Sequence, residues 1–367
     1  MLSSVRILDL SRVLAGPLCT MTLGDLGANV IKVEKPGGGD DTRSWGPPFD
    51  DRGESAYYLS INRNKKSVAL DLNHPSDTDL ILRLASEADV VVDNFKSGTL
   101  QKHGLEPEKI LKQTSKLIWC TITGFGKDSS RVGYDLVVQA ESGWMAITGV
   151  PDGDPMRVGV ALADIIAGKD ATIAILAALF RRSMSAGPIP AADRQIHVSL
   201  AASARAALIN VAQNSLVTGT EAKRWGNQHP NLVPYQLFHA SDRPIIVAVG
   251  NDSQWRACAL ALSLTDLASD ASVATNAGRL ASRDRVVSAV SKKLSEKTAA
   301  EWIEVLDAAG VPCGVVKSVL ESLREIDASA ITGIAPSVPG RARLPPPMLD
   351  EHGAEIRESG WDAFPSD

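Results

Sequence analysis

In the stretch "VGVALADIIAG" (158–168) one carboxylate, Asp164, stands among apolar residues. An ionised carboxylate that leaves water needs a compensating partner or a chemical reason to be there. Two roles suit it. As a helix cap it would accept the first N–H groups ahead of "IIAGKDATIAILAALF", with Ile165, Ile166, Ile173, Leu176 and Phe180 on an apolar stripe; a cap is worth about 1 kcal/mol. As a nucleophile it would be kept ionised by the helix N-terminus, stripped of water by its neighbours, and able to attack an acyl carbonyl. The two roles are compatible, and the residues alone leave both open.

A second constellation is "GYDLVVQAESG" (133–143), which predicts a helix burying Val137, Val138, Ala140 and Trp144, with Tyr134 and Asp135 at its entrance. Asp135 is there either for the helix dipole or for the site. Basic residues gather near the carboxyl ends of predicted strands: Arg12, Lys35, Arg43, the run Arg63-Asn64-Lys65-Lys66, Lys96 and Lys102. Taken singly each is an ordinary solvated loop charge; together they suit a ligand carrying several phosphates. Other chemistries lack their signatures. The six histidines show no HExxH or HxxxH spacing, so no metal is expected. No GxSxG elbow is present. The turn after the first strand reads "SRVLAGPLC" rather than GxGxxG, so NAD is not expected.

The elements that must position these residues alternate. "VRILDL" (5–10), "NVIKVE" (29–34), "SVALDL" (67–72), "DVVVDNF" (89–95) and "LIWCTITG" (117–124) read as strands, with helices at "AGPLCTMTLGDLG" and "HPSDTDLILRLASEA" between them. Val- and Ile-rich strands alternating with helices predict an α/β fold with a parallel sheet, and ligands in such sheets sit beyond the carboxyl ends of the strands. After "IHVSL" a long Ala-rich helix is predicted over about 200–216. "RPIIVAVGNDSQW" then opens a second α/β unit, with amphipathic segments near 282–294 and 298–309. The Pro-rich tail from 334 is expected to wrap a surface rather than join a core.

With 367 residues the chain is expected to form two domains. A net charge of −5 argues against nucleic acid as the main partner. Four scattered cysteines without a CxxC pair point to free thiols in a reducing compartment. The N-terminus lacks the pattern of a signal peptide, and no window of 18 apolar residues occurs, so a cytoplasmic protein with no membrane partner is expected.

The blocks "LDLSRVLAGPLCTMTLGDLGANVIKVEKPGGGDDTR", "NRNKKSVALDL", "VVDNF", "GYDLVVQAESG" and "VGVALADIIAG", continued by "GNQHPNLVPYQLF", "AVGNDSQW" and "AAGVPCGVV", resemble the family III CoA-transferases, the group that includes formyl-CoA and carnitine CoA-transferases and the α-methylacyl-CoA racemases. The resemblance spans nearly the whole chain. It implies a Rossmann-like large domain with a parallel sheet plus a smaller α/β domain, in an interlocked homodimer. The large CoA-binding domain would comprise 1–200 completed by 325–367, with a linker at 201–225, a small domain at 226–315 and a return linker at 316–325.

Position by position, the resemblance implies that Asp164 is the catalytic aspartate, acylated during turnover. Arg12, Val13, Leu14 and Ala15 match the first CoA-binding loop, and Lys35 falls where a basic residue approaches the nucleotide. Leu70, Asn94, Phe95, Lys102 and His103 match other positions of the CoA groove, and Tyr134 lies by the thiol end. The implied reaction moves CoA from an acyl-CoA to a carboxylic acid through an aspartyl anhydride and an enzyme–CoA thioester. There are departures. Ala192-Asp193-Arg194-Gln195 replaces a Gly-Arg-Gly-Gln turn, and Asn73 and Val132 stand where formyl-CoA transferases place lysines. The glycine lid of those enzymes has no counterpart, and "GNQHPNLVPYQ" offers Asn227, His229 and Tyr235 for acceptor recognition instead. The alternative is an α-methylacyl-CoA racemase, but such racemases carry His-Asp where this chain has Tyr134-Asp135, and a phenol of ordinary pKa near 10 is a poor base.

Overall fold

The computed structural model describes residues 1–365. The chain divides into two compact units, one of Met1–Met145, Arg157–Glu221 and the segment from Leu323 onward, the other of Ala146–Met156 and Ala222–Ser322.

The first unit is built on six strands: β1 (Arg6–Asp9), β2 (Asn29–Glu34), β3 (Lys65–Ala69), β4 (Val90–Asp93), β5 (Ile118–Thr123) and β6 (Gln195–Ser199). They pair in the order β3-β2-β1-β4-β5-β6, every pair parallel. This is the doubly wound order, in which the chain reverses direction between β1 and β4 and leaves a crevice beyond their carboxyl ends. Strand alternation supplies both faces. Ile7, Val30, Val90, Val92, Ile118 and Cys120 are buried on one side, and Leu8, Ile31, Val91 and Trp119 on the other. Each such side chain contributes about 1.5–3 kcal/mol by leaving water.

The first face is covered by α1 (Ala15–Asp25) and the second by α2 (Pro75–Glu87) and α3 (Pro107–Gln113). After β5 come α4 (Asp135–Glu141) and the long α5 (Leu162–Met184), which packs against α1. The buried face of α5 is its small-residue side, Ala163, Ala167, Gly168, Ala171 and Thr172, with Ile175. The expected apolar stripe is split: Ile166 and Leu176 are half-buried against the core, while Ile173 and Phe180 are 64% and 68% exposed. Close packing on α1 selects small residues and leaves the bulky ones out. In α4 the expectation also shifts: Val138 is buried, Val137 and Ala140 are not, and Gln139 takes their place.

Three further readings are corrected. The single helix expected at 200–216 is two, α6 (Leu200–Ala206) and α7 (Ile209–Thr218), broken at Ile209, whose φ is +40°. β3 begins two residues earlier than predicted, because Lys65 turns its ammonium into the interior. The tail contributes to the core: Ile356, on a helix at Gly353–Ser359, and Trp361 and Phe364 are buried with the second sheet face.

The second unit holds a three-stranded antiparallel sheet, β7 (Tyr235–His239), β8 (Pro244–Ala248) and β9 (Cys313–Val315), with β8 central. Helices α8 (Asp252–Ala261), α9 (Arg283–Leu294) and α10 (Ala299–Ala308) cover it around Phe238, Ile245, Val247, Trp255 and Trp302. Thr298 and Glu301 form a capping box at the start of α10. Residues 146–156 join this unit through Arg224, which donates to the carbonyls of Val150 and Gly153, a connection absent from the sequence reading.

Candidate active site

The loop after β1 enters the crevice between β1 and β4. Asp9 ends β1 and accepts the Ser11 N–H, which turns the chain outward. Asn94, just past β4, clamps the loop from the other side: its Oδ1 accepts the Arg12 N–H at 3.0 Å and its Nδ2 donates to the Arg12 carbonyl at 2.6 Å. Val13 is held at φ +72°, a left-handed conformation that costs a branched residue energy. The carboxylate of Asp40 accepts its N–H at 3.1 and 3.2 Å. Asp40, from the "GGGD" turn, is in turn paired with fully buried Lys32 at 3.0 Å. Burial disfavours its charge, but Lys32 and the Thr42 N–H hold it below the ordinary carboxylate range.

This clamped loop delivers the N-terminus of α1. Gly168 on α5 meets Ala15 so closely that a Cβ there would stand 2.6 Å from the Ala15 carbonyl oxygen. One turn earlier on α5, the Asp164 carboxyl lies near the Ala15 N–H, which favours its charged form. Asp164 is therefore not the cap of its own helix. Ala161 occupies that position without a side-chain bond, and the Ala163 N–H is satisfied by Asp135 from α4, at 2.8 Å. Asp164 is half-buried, and its carboxyl is pushed up to about 7 by burial and then by the charge of Asp135, against the Ala15 N–H. The expectation that the helix terminus keeps it fully ionised is thus corrected, because desolvation and a like charge outweigh the dipole.

Gln139 was missed by the sequence reading, since its amide matters only through partners on other segments. It is fully buried, donates to Asp135 Oδ2 at 2.6 Å and accepts the Val158 N–H at 2.9 Å. Tyr57 was missed as well. Burial, then the charges of Asp164, Asp135 and Asp40, raise its phenol to about 12, so it stays protonated near the acids.

Asp164 lines a cavity of ≈ 130 Å³ together with Arg12, Val13, Ala15, Asn94, Phe95 and Tyr134. Gly124 and Gly133 line it too, where the backbones touch: a Cβ at Gly124 would lie 2.5 Å from Gly133 Cα. Arg12 and Phe95 also line an adjoining groove of ≈ 250 Å³ shared with Lys35, Leu70, Asn73 and His103. Six of the residues selected for CoA thus line the cavity with the aspartate, and the groove adds Lys35, Leu70 and His103. Leu14 sits behind them as the residue before α1, and Lys102 is an exposed neighbour of His103. At the mouth, Arg12 and Lys35 share Asp41, at 3.3 and 3.0 Å.

Lys96 also lines the aspartate's cavity, whereas four of the selected cations are committed to acids elsewhere. Arg43 binds Glu34 and Glu54, Arg63 binds Asp25, and Lys65 lies 2.9 Å from Asp9, all buried; Lys66 reaches Glu355. The run sits at the start of β3, the end opposite the crevice, so it organises the fold. Arg194, in the departing turn, donates to the carbonyls of Ile189, Leu117 and Leu111.

Asn227, His229 and Tyr235 belong to the second unit. Asn227 is exposed. The His229 and Tyr235 rings lie 5.1 Å apart, and His229 Nδ1 accepts the Asn231 N–H, ordering a turn around a neutral imidazole. Burial and then Arg283 lower the His229 pKa.

Known proteins carry the same pattern. Residues 2–349 match the profile described as CoA-transferase family III. The chain is 41% identical to a succinyl-CoA:glutarate CoA-transferase of Mus musculus, over 97% of this chain and 85% of that protein. It is 38% identical to a succinate–glutarate CoA-transferase of Agrobacterium fabrum, covering 97% and 94% of the two. An acetyl-CoA:oxalate CoA-transferase of Acetobacter aceti is 34% identical, with 96% and 94% covered. Among solved structures, a CAIB/BAIF family protein from Brucella suis superposes with a TM-score of 0.83 at 37% identity, over 97% of this chain and 98% of that one. An acid set where the doubly wound sheet opens, beside a groove lined by Arg12 and Lys35, therefore comes with the whole-chain pattern of its relatives: this chain belongs to the family III CoA-transferases.

Proposed function

We propose that the enzyme moves CoA from succinyl-CoA to a dicarboxylic acid of the glutarate class, with Asp164 as the nucleophile. The observation that carries this reading is the position of Asp164 at the inner cavity, near the Ala15 N–H, where the groove past Arg12 and Phe95 ends. The names of the relatives at 41% and 38% identity support the acid class.

Asp164 attacks the thioester carbonyl, a C–O bond forms, and CoA thiolate leaves. The thiolate then attacks the aspartyl carbonyl, giving enzyme–CoA thioester and free succinate. The acceptor carboxylate attacks that thioester and releases the thiolate again. Thiolate attack on the new acyl carbonyl gives the product thioester and restores Asp164. No proton is gained or lost overall. Holding CoA in the groove keeps the thiolate at high effective concentration. The Ala15 N–H beside Asp164 is a donor available to an oxyanion.

In this reading Arg12, Val13, Leu14, Ala15, Lys35, Leu70, Asn94, Phe95, Lys102, His103 and Tyr134 bind CoA, and Asn227, His229 and Tyr235 bear on the acceptor. The enzyme works as an interlocked homodimer, with linkers at 201–225 and 316–325. Exposed Ile173, Phe180, Met184 and Leu216 support a partner surface. The four free cysteines support a cytoplasmic location.

The test is to incubate enzyme with succinyl-CoA, trap with hydroxylamine or borohydride, and map the adduct by mass spectrometry. Modification of Asp164, lost in Asp164→Asn together with transfer to glutarate, is expected. An unmodified Asp164 with full activity in Asp164→Ala would overturn the reading. Solvent deuterium entering the acyl α-carbon would favour a racemase instead.

A further inference from the structure

We propose that Asp135 is the positioning residue of the reaction: it caps the helix that carries Asp164, one residue ahead of it, and sets a second carboxylate with no cation on it beside the nucleophile. The inference rests on Asp164 as the nucleophile, and it adds what sets the energy of that carboxylate.

The geometry leaves Asp135 little freedom. Its Oδ1 accepts the Ala163 N–H at 2.8 Å, one residue before Asp164, and its Oδ2 accepts Gln139 Nε2 at 2.6 Å. Gln139 is fully buried and fixed at its other end by the Val158 N–H. Among the described residues neither donor is a cation and no ion pair reaches Asp135, so its charge is oriented but not cancelled. Other elements around the cavity bring Arg12, paired with Asp41; Arg131, paired with Glu141; Lys96; and the phenol of Tyr134, while the Tyr57 phenol feels the charges of Asp164 and Asp135. Of the charged groups, Asp135 is the one that acts on Asp164, in the same direction as burial.

Two chemical consequences follow. Acylation removes the Asp164 charge and with it the repulsion, so the anhydride and the enzyme–CoA thioester gain relative to the resting carboxylate. A more basic Asp164 is also the poorer leaving group of the two carboxylates in the anhydride. Thiolate attack at the aspartyl carbonyl, with a C–S bond forming and the substrate carboxylate departing with its electron pair, is then favoured over attack at the substrate carbonyl, which would expel Asp164.

The experiment compares wild-type enzyme with Asp135→Asn, which keeps an oxygen for the Ala163 N–H and removes the charge. The Asp164 carboxyl is titrated by ¹³C NMR in ligand-free enzyme, its signal identified with Asp164→Asn. In the wild type the midpoint is expected above the ordinary carboxylate range; a midpoint within that range overturns the proposal without any variant. In Asp135→Asn the midpoint should fall by about one pH unit or more, the acid limb of kcat/KM should move with it, and the trapped enzyme–CoA thioester should decrease several-fold. A lower Tm and kcat with an unmoved midpoint would show a merely structural role and overturn it. Failure of the nucleophile reading is seen separately, as a shifted midpoint without any adduct on Asp164.

Discussion

Gly168 and Ala15 are in backbone contact, and that contact places the Ala15 N–H near Asp164 one helical turn away. The close approach of α5 to α1 is therefore part of the site. Gly168→Ala should push the helices apart, costing about 1–3 kcal/mol of stability. The larger effect should be on kcat, about 100-fold, since a displacement on the order of 1 Å at a reacting group has that consequence. Urea melts and steady-state kinetics on the same preparation separate the two.

The raised Asp164 pKa makes activity and stability run in opposite directions with pH. In the proposed mechanism only the ionised form attacks, so kcat/KM should climb about tenfold per pH unit on the acid side and level above about 7.

Stability follows from the sign of the same shift. The folded value, about 7, exceeds the ordinary 3.8, so the folded protein binds the extra proton between them and loses stability as pH rises through that window. Asp164→Asn should then melt higher than wild type at pH 8, by on the order of a few degrees, with the gap closing toward pH 4. Equal melting curves at pH 8 would contradict this.

Asn94→Ala removes both bonds that clamp Arg12 while leaving the buried Asp40–Lys32 support of Val13 intact. CoA binding, measured by calorimetry, should weaken by about tenfold, the loss of one or two hydrogen bonds' worth of preorganisation. The melting temperature should barely move, because Asn94 lies at the surface of the crevice.

Lys65 is a structural cation. Burial disfavours the charge of Asp9, yet Lys65 and Lys32 hold its carboxyl down to about 2. Lys65→Met should cost about 3–5 kcal/mol by stranding Asp9. Because the Asp9 pKa is depressed, its contribution is present above 3.8 and is lost as pH falls toward about 2, so the variant's deficit should shrink in acid. Urea titrations at pH 7 and pH 3 check this.

Local pattern made much of this protein readable. Short Val- and Ile-rich runs marked the strands, and their alternation with helices announced the parallel sheet, because those signals need only near neighbours. Asp164 declared itself because an acid among apolar residues demands an account wherever the chain goes. The fates of Arg43, Arg63 and Lys65 were not readable: their charges are local, but Glu34, Asp25 and Asp9 come from other strands and helices. The outward turn of Ile173 and Phe180 was hidden for the same reason, since the neighbour that demands small residues, α1, lies far away in the chain. Residue type and its apolar setting thus singled out the carboxylate that we propose as the nucleophile. Whether it carries a proton was left to the tertiary structure, because that depends on how much water the packing of α1 and α5 excludes and on Asp135, which folding brings beside it from 29 residues away.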